Sequence, residues 1–200
     1  MIAVDGLSKS FGDLDVLQNI SLSFGKGETV AIIGKSGVGK STLARIIAGV
    51  DKSYQGRVSA PDRIGYVFQE PTLLPWRRVL ANLTLFHPDL PDDTAREMLA
   101  RVDLDNKASQ WPRQLSLGQQ RRLALARAFM GDPELLLLDE PYTSLDSETH
   151  EDMLALTETL IDQVRPAVLI VTHNTLEATR LAQRTYELRG SPATLQTVPA

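Results

Sequence analysis

The hydrophobic pattern of the first third of the chain is that of short strands. Apolar and polar residues alternate over residues 20–24, as in a half-buried strand, and the Gly-Lys-Gly run at 25–27 is typical of a turn. An apolar-rich run follows at 28–33, and residues 63–68 form another strand candidate just before Gln69. We therefore predict that antiparallel, β-rich structure dominates from residue 1 to about residue 59.

The pattern changes in the middle of the chain. Prolines punctuate this stretch, and helical patterns occur at residues 79–86, 94–102 and 117–130. These segments predict a helical subdomain at about residues 71–130.

Strand-like and helix-like segments alternate again after residue 131. Continuous apolar runs at 135–138 and 167–171 predict strands covered on both faces. A helical pattern at 147–164 lies between these two runs, and a second one at 175–182 lies between the later run and a last strand candidate at 185–188. Because strands separated by helices indicate a largely parallel sheet, we predict an α/β fold with a mostly parallel core.

The chain is therefore predicted to be one domain of 200 residues. Residues 1–70 and 131–190 are predicted to form an α/β core, and residues from about 71 to 130 an inserted helical subdomain. Residues 191–200 are predicted to be a loosely held tail.

Composition excludes several classes of protein. A net charge of −4 gives no support for non-specific nucleic-acid binding, and the absence of cysteine excludes disulfides and thiolate zinc sites. The longest strongly apolar runs fall well short of the roughly 20 residues that span a bilayer, and the first residues lack the pattern of a secretion signal. We expect any contact with a membrane to run through a partner.

Residues 34–42, GKSGVGKST, carry the strongest chemical signal. They fit the pattern G-x-x-x-x-G-K-[ST], in which backbone N–H groups surround phosphate oxygens. Lys40 can reach the β- and γ-phosphates, and the Ser41 hydroxyl can ligate Mg²⁺. A strand precedes the loop and a helix follows it, which weakens the alternative of a chance glycine turn. The predicted phosphate-binding residues are Gly34, Lys35, Ser36, Gly37, Val38, Gly39, Lys40, Ser41 and Thr42.

Polar side chains follow three predicted strands. Asp139 and Glu140 come directly after the run at 135–138, His173 follows the run at 167–171, and Gln69 follows residues 63–68. Ligands of parallel sheets collect at the carboxyl ends of strands, so Asp139 is expected to help hold Mg²⁺ and Glu140 to polarise the attacking water. His173 could orient that water, and Gln69 could ligate Mg²⁺ or sense the water. The alternatives are two solvated acids and an unremarkable histidine and glutamine.

Residues 115–119, LSLGQ, are followed by QRRLALARA, and this segment resembles the LSGGQ signature of the nucleotide-binding subunits of ABC transporters. The resemblance covers almost the whole chain and implies a P-loop NTPase fold with ATP and Mg²⁺ as ligands. It further implies that Ser116, Gly118 and Gln119 serve an ATP held by a second ATP-binding subunit, and the expected partner is an identical copy. Leu117 departs from the usual glycine: its side chain would have to point away from the nucleotide, or the closed state would be weakened. An ordinary capped amphipathic helix is the alternative.

The resemblance assigns further roles. It implies that Phe11 stacks on adenine and that Val16 lies beneath the ribose, whereas simple core packing is the alternative for Phe11. Asp146 matches the loop that touches the opposing subunit. Gln69, Glu140 and His173 match the family's γ-phosphate sensor, general base and switch histidine, and the expected metal ligands are Ser41, Gln69 and Asp139.

Residues 69–83 resemble a segment of bacterial importers for nitrate, sulfonates, taurine and related solutes. The resemblance implies that Leu73, Leu74 and Trp76 form an apolar lip that docks a membrane permease, in a system that also has a solute-binding protein. The alternative is that Trp76 packs inside the helical subdomain. The expected location is the cytoplasmic side of the bacterial inner membrane. Because only 27 residues follow His173, a carboxy-terminal regulatory portion is not expected.

The resulting hypothesis is an ATPase subunit that energises uptake of a small solute through a separate permease. The alternatives from other classes are a soluble ABC-type ATPase of DNA repair or translation, an ABC subunit for export or lipid transport, and a P-loop small-molecule kinase. No nucleic-acid partner is expected.

Overall fold

A computed structural model describes residues 1–198 of the chain. The strands are β1 (Ile2–Phe11), β2 (Leu14–Phe24), β3 (Thr29–Ile33), β4 (Gln55–Ser59), β5 (Ile64–Val67), β6 (Leu135–Asp139), β7 (Ala167–Thr172), β8 (Arg184–Gly190) and β9 (Ala193–Val198). The helices are α1 (Lys40–Ile47), α2 (Val79–Thr84), α3 (Asp92–Arg101), α4 (Leu117–Phe129), α5 (Ser147–Val164) and α6 (Thr175–Leu181). Two short 3-10 helices lie at Asp105–Lys107 and Pro112–Gln114.

The nine strands form one mixed sheet in the order β4-β1-β2-β9-β8-β3-β7-β6-β5. In its core, β3 is parallel to β7 and β8, and β6 is parallel to β7. At the amino-terminal side, β1 is antiparallel to β2 and β4. All residues of β6 and β7 are buried, as their continuous apolar runs predict. The predicted α/β class, with a mostly parallel core and an antiparallel β-rich beginning, is confirmed.

The prediction of a loose tail at residues 191–200 is wrong for the part that the structure describes. Residues 193–198 form β9, which pairs antiparallel with β8 from Gly190↔Ala193 to Thr185↔Val198. Ala193 is buried, and Leu195 packs against the core. These contacts provide the packing that a short β-prone run needs to form a strand. Residues 199 and 200 lie outside the described residues.

The chain divides into two compact units. The first contains Met1–Tyr66, Glu134–Glu140 and the described residues from Arg165 onwards, and the second contains Val67–Pro133 and Pro141–Val164. Helices α2, α3, α4 and α5 fall in the second unit, where α4 packs against the other three. This division differs from the predicted one chiefly in α5, which the sequence pattern assigned to the α/β core.

Candidate active site

The phosphate loop of the first unit connects β3 to α1. Gly39, just before α1, has a φ of +111°, and a Cβ atom there would lie 2.8 Å from Leu17 Cδ2, so only glycine fits without strain. Lys40 is 4% exposed, and its Nζ donates to the carbonyl oxygens of Gly34 at 2.9 Å and Lys35 at 3.1 Å. The loop thus curls around the lysine ammonium and fixes its position.

Glu140 lies beside this lysine, directly after β6. Its Oε1 is 3.1 Å from Lys40 Nζ, and its Oε2 is 3.2 Å from His173 Nδ1. The backbone at Glu140 has a φ of +46°, and its N–H donates to the Val171 carbonyl at 2.9 Å. A non-glycine residue with positive φ is uncommon and often marks a functional site. The structure therefore brings together three of the side chains that the sequence singled out.

Asp139 is the last residue of β6 and is buried. Its Oδ1 accepts a hydrogen bond from Ser41 Oγ at 2.7 Å, and its Oδ2 accepts one from the Tyr66 hydroxyl at 3.1 Å. Burial, with the negative charge of Asp139 as a second cause, raises the pKa of Tyr66 far above its usual value. Tyr66 therefore stays protonated and donates to Asp139 throughout the physiological pH range.

Ser41 and Asp139 fit the predicted magnesium site. They place two hard oxygen ligands side by side, and Mg²⁺ usually takes one or two such protein ligands together with phosphate oxygens and water. No group of three or more acidic or histidine side chains that could hold a metal occurs among residues 1–198. Gln69, the third predicted ligand, belongs to the second unit. Its role stays a prediction.

A buried network that the sequence did not reveal holds the segment around His173. Glu177 Oε2 accepts a hydrogen bond from Thr172 Oγ1 at 2.6 Å, and its Oε1 accepts one from Asn174 Nδ2 at 3.2 Å. Asn174 also caps α6 by accepting a bond from the Leu176 N–H. The spacing His-x-x-x-Glu at a helix start is the only signal that could have pointed to Glu177.

Phe11 and Val16 lie in the same unit as the phosphate loop. Val16 Cγ1 would be 3.0 Å from a Cβ atom at Gly39, so it packs directly against the loop. Phe11 is 53% exposed, which excludes simple core packing, and Lys9 Nζ lies 4.5 Å from the centre of its ring. Lys9 is itself held by Asp51 at 2.8 Å. This contact supports the ring from one side.

Replacing Phe11 with alanine is expected to weaken ATP binding roughly tenfold, because base stacking on an aromatic ring contributes about 1–3 kcal/mol. Titration with a fluorescent ATP derivative measures this effect, and Phe11→Tyr is the matched control that keeps the ring. Inorganic tripolyphosphate, which has no base, should bind the alanine variant as it binds the wild type. Equal weakening of both ligands would contradict the assignment of Phe11 to the base.

The signature segment opens α4 in the second unit. Ser116 Oγ accepts a hydrogen bond from the Gln119 N–H at 3.3 Å, and Gln119 Oε1 accepts one from the Ser116 N–H at 3.1 Å, which is a capping box. A Cβ atom at Gly118 would lie 2.9 Å from Thr149 Cγ2. Leu117 is 44% exposed and lines the same groove as Ser116 and Gly118, so its side chain is not withdrawn into its own chain.

Asp146 lies in the same groove, in the loop before α5. Its carboxylate accepts hydrogen bonds from the Thr149 N–H at 2.9 Å and Thr149 Oγ1 at 2.8 Å, and these bonds lower the pKa of Asp146. The groove thus joins the signature residues to Asp146 within one unit, as a shared surface for a partner would require.

Trp76 is 67% exposed, so the alternative in which it packs inside the helical unit is wrong. Leu73 and Leu74 beside it are half-buried. The buried Asn82 fixes this lip, since its Oδ1 accepts from the Leu74 N–H at 2.8 Å and its Nδ2 lies 3.2 Å from the Arg77 carbonyl. Within residues 1–198, no helix has the length and apolar character needed to cross a membrane.

Comparisons with known proteins agree with this geometry. A family model described as "ABC transporter" matches residues 17–143. The aliphatic sulfonates import ATP-binding protein SsuB 2 of Frankia alni is 47% identical over 189 residues, which cover 94% of this chain and 77% of that protein. SsuB 1 of Nocardia farcinica is 46% identical over 185 residues, which cover 92% of this chain and 76% of that protein.

Solved structures show the same likeness. The ATP-binding cassette MJ0796, as a dimer in a post-hydrolysis state bound to ADP and Pi, matches with a TM-score of 0.84 and 29% identity over 100% of both chains. A further dimeric structure of this bacterial ABC transporter cassette gives the same TM-score at 30% identity. The predicted P-loop α/β fold is therefore confirmed.

Proposed function

The chain belongs to the ABC transporter family and is an ATP-binding, ATP-hydrolysing subunit of such a system; from this premise we propose that it energises the import of aliphatic sulfonates through a separate membrane permease. The observation that carries the catalytic part is the arrangement of Lys40, Glu140 and His173 around one point beside the phosphate loop. The names of the relatives support the importer class and the solute.

The proposed reaction begins with ATP phosphates on the loop at residues 34–42. Lys40 donates to the β- and γ-phosphates, as its position inside the loop allows. A γ-phosphate on Lys40 competes with Glu140 for the same ammonium, which releases the carboxylate to polarise the attacking water. His173, on the other carboxylate oxygen, orients Glu140 and contacts the γ-phosphate.

Magnesium would be held by Ser41 and Asp139, with Gln69 as a further ligand, and would neutralise charge on the phosphate oxygens. Tyr66 keeps the Asp139 carboxylate oriented by donating to the oxygen that Ser41 does not use. Phe11 stacks on the adenine and Val16 lies beneath the ribose.

A second copy of the chain completes each site. Ser116, Gly118 and Gln119 of one subunit serve the ATP held by the other, and Asp146 links the two sites. The shared groove of these residues and the dimeric cassettes of similar structure support this arrangement. Binding of ATP closes the pair, and hydrolysis reopens it.

The permease is proposed to dock on Leu73, Leu74 and Trp76. Trp76 is exposed there, and Asn82 fixes the neighbouring backbone by accepting a hydrogen bond from the Leu74 N–H. A solute-binding protein delivers the solute to the permease, and the chain is held at the cytoplasmic side of the bacterial inner membrane.

Deletion of the gene for this chain in the organism that carries it tests the proposal. The deletion strain should fail to grow on ethanesulfonate as the sole sulfur source and grow normally on sulfate. The wild-type gene should restore growth, Trp76→Ala should not, and Val50→Ala, which removes another exposed apolar side chain, should restore it. Normal growth of the deletion strain on ethanesulfonate, or a defect only on another solute, would overturn the sulfonate assignment.

A further inference from the structure

Arg121 of α4 is a buried guanidinium in the second unit, only 6% exposed. Its Nη1 donates to the carbonyl oxygens of Gln69 at 3.0 Å and Pro141 at 2.7 Å, and its Nη2 donates to the Thr143 carbonyl. Burial lowers the pKa of Arg121 from its usual value. Burying a charge is costly, so a guanidinium that binds three main-chain oxygens has a specific geometric task.

The three acceptors belong to two segments that the chain keeps far apart in sequence. Gln69 opens the segment that leads to the permease lip. Pro141 directly follows Glu140, and Thr143 lies in the loop that leads to Asp146. The planar guanidinium presents its donors in a fixed fork, so Arg121 sets the distance between these two segments.

Arg127, six residues further along α4, binds the same first segment. Its Nη1 donates to the Thr72 carbonyl at 2.9 Å, and its Nη2 donates to Thr72 Oγ1 at 3.0 Å and to the Pro71 carbonyl at 3.2 Å. Thr72 has a φ of +43°, which is strained for a β-branched residue. Such a conformation persists only where its surroundings enforce it, and Arg127 supplies that constraint.

The segment at residues 69–74 is therefore tied at several points. Arg121 and Arg127 hold residues 69–72 from α4, and Asn82 holds both the N–H and the carbonyl of Leu74. The same helix begins at the signature, with Ser116 as its cap. One rigid element thus connects the signature, the backbone of Gln69 and the turn after Glu140.

We propose that Arg121 and Arg127 are positioning residues for ATP hydrolysis, which act by fixing the backbone of Gln69, in the case of Arg121 against the turn at residues 141–143. This inference rests on the proposed function, because it assumes that Gln69 acts on the γ-phosphate or its metal. Neither arginine needs to touch the nucleotide. Their loss misplaces groups that do, and small misplacements of such groups lower the rate of the chemical step.

Arg121→Lys is the first test, since lysine keeps the cation but loses the fork. We expect kcat for ATP hydrolysis to fall roughly 10- to 100-fold, while the Kd for a fluorescent ATP derivative changes less than about twofold. Arg96→Lys is the matched control: it makes the same substitution at an exposed position of α3, in the same unit, and should leave kcat unchanged. Equal losses in both variants would overturn the proposal.

A double-mutant cycle with Gln69→Ala separates positioning from general support of the fold. If Arg121 acts through Gln69, the variant Gln69→Ala with Arg121→Lys should be no slower than Gln69→Ala alone. If the fold-decreases in kcat of the two single variants multiply in the double variant, the positioning role is overturned and the proposed function stays intact. A normal kcat for Gln69→Ala itself would instead reject the assumption about Gln69.

Arg127→Met provides the test if the Arg121 variants do not fold, because Arg127 is only half-buried. Arg127→Met should also lower kcat while leaving the ATP affinity unchanged. In the Gln69→Ala background it should cause no further decrease in kcat. A wild-type kcat for folded Arg127→Met would overturn its part in the proposal.

Discussion

Replacing Glu140 with glutamine is expected to lower kcat for ATP hydrolysis by roughly 100- to 1000-fold, because the carboxylate is assigned as the general base. The amide has the same shape and its oxygen still accepts a hydrogen bond from Lys40 Nζ, now 3.1 Å from the carboxylate. What it loses is the ability to take a proton from the attacking water. The Kd for ATP should therefore stay within a few-fold of the wild-type value.

Turnover by phosphate release and ATP affinity by equilibrium titration measure the two halves of this prediction. Size-exclusion chromatography with Mg·ATP should show accumulation of an ATP-bound dimer, since the closed pair no longer reopens. Glu134→Gln is the matched control, because Glu134 lies directly before β6 and is exposed. Its Oε2 is 3.6 Å from Arg63 Nε. Wild-type turnover by Glu140→Gln would remove Glu140 from its role.

The elements that the sequence predicts best are those whose pattern is set by burial alone. The runs at β6 and β7 are continuous because both faces are covered, and α5 spans the predicted residues 147–164. The phosphate loop was predictable because its glycine, lysine and serine positions follow from the geometry of phosphate binding. Asp139, Glu140 and His173 followed from strand ends, where a parallel sheet gathers its ligands.

The supporting residues could not be predicted because their partners are remote in sequence. Tyr66 and Asp139 are hydrogen-bonded although they are 73 residues apart in sequence, and Arg121 and Gln69 are hydrogen-bonded over a separation of 52 residues. Tyr66 reads as an ordinary strand residue, and Arg121 is one of several arginines in α4. Only the folded chain shows that they bind specific oxygens. Strand β9 was missed for a similar reason, since its short pattern becomes a strand only against β8.

These supporting residues share one physical property. Asn82, Arg121 and Glu177 are buried polar side chains and Tyr66 is half-buried, and each bonds to a segment that carries a predicted functional residue. A buried polar group that loses its partner costs about 1–3 kcal/mol, so each of these contacts restricts its segment to one conformation. Within each unit, these polar contacts rather than the catalytic residues themselves therefore hold the functional segments in place.

Lys40→Met is expected to weaken ATP binding at least roughly 100-fold, which corresponds to about 2.7 kcal/mol. Methionine keeps the apolar stem but removes the ammonium that the loop surrounds at Gly34 and Lys35. Charge-assisted hydrogen bonds to phosphate are the strongest contacts available to the loop, and backbone N–H groups alone do not replace them. The Glu140 carboxylate also loses its nearest cation and then repels the γ-phosphate from the same position.

Isothermal titration with ATP and Mg²⁺ measures this loss, and kcat/KM should fall further than the affinity because Lys40 also stabilises the transferring phosphate. Lys26→Met is the control, since it removes a lysine from the exposed turn before β3 and should bind ATP normally. Combining Lys40→Met with Glu140→Gln separates the two causes. If the repulsion from Glu140 contributes, the double variant binds ATP more tightly than Lys40→Met alone; if it binds equally weakly, the missing ammonium accounts for the whole loss. Wild-type affinity in Lys40→Met would mean that the ATP phosphates are held elsewhere on the chain.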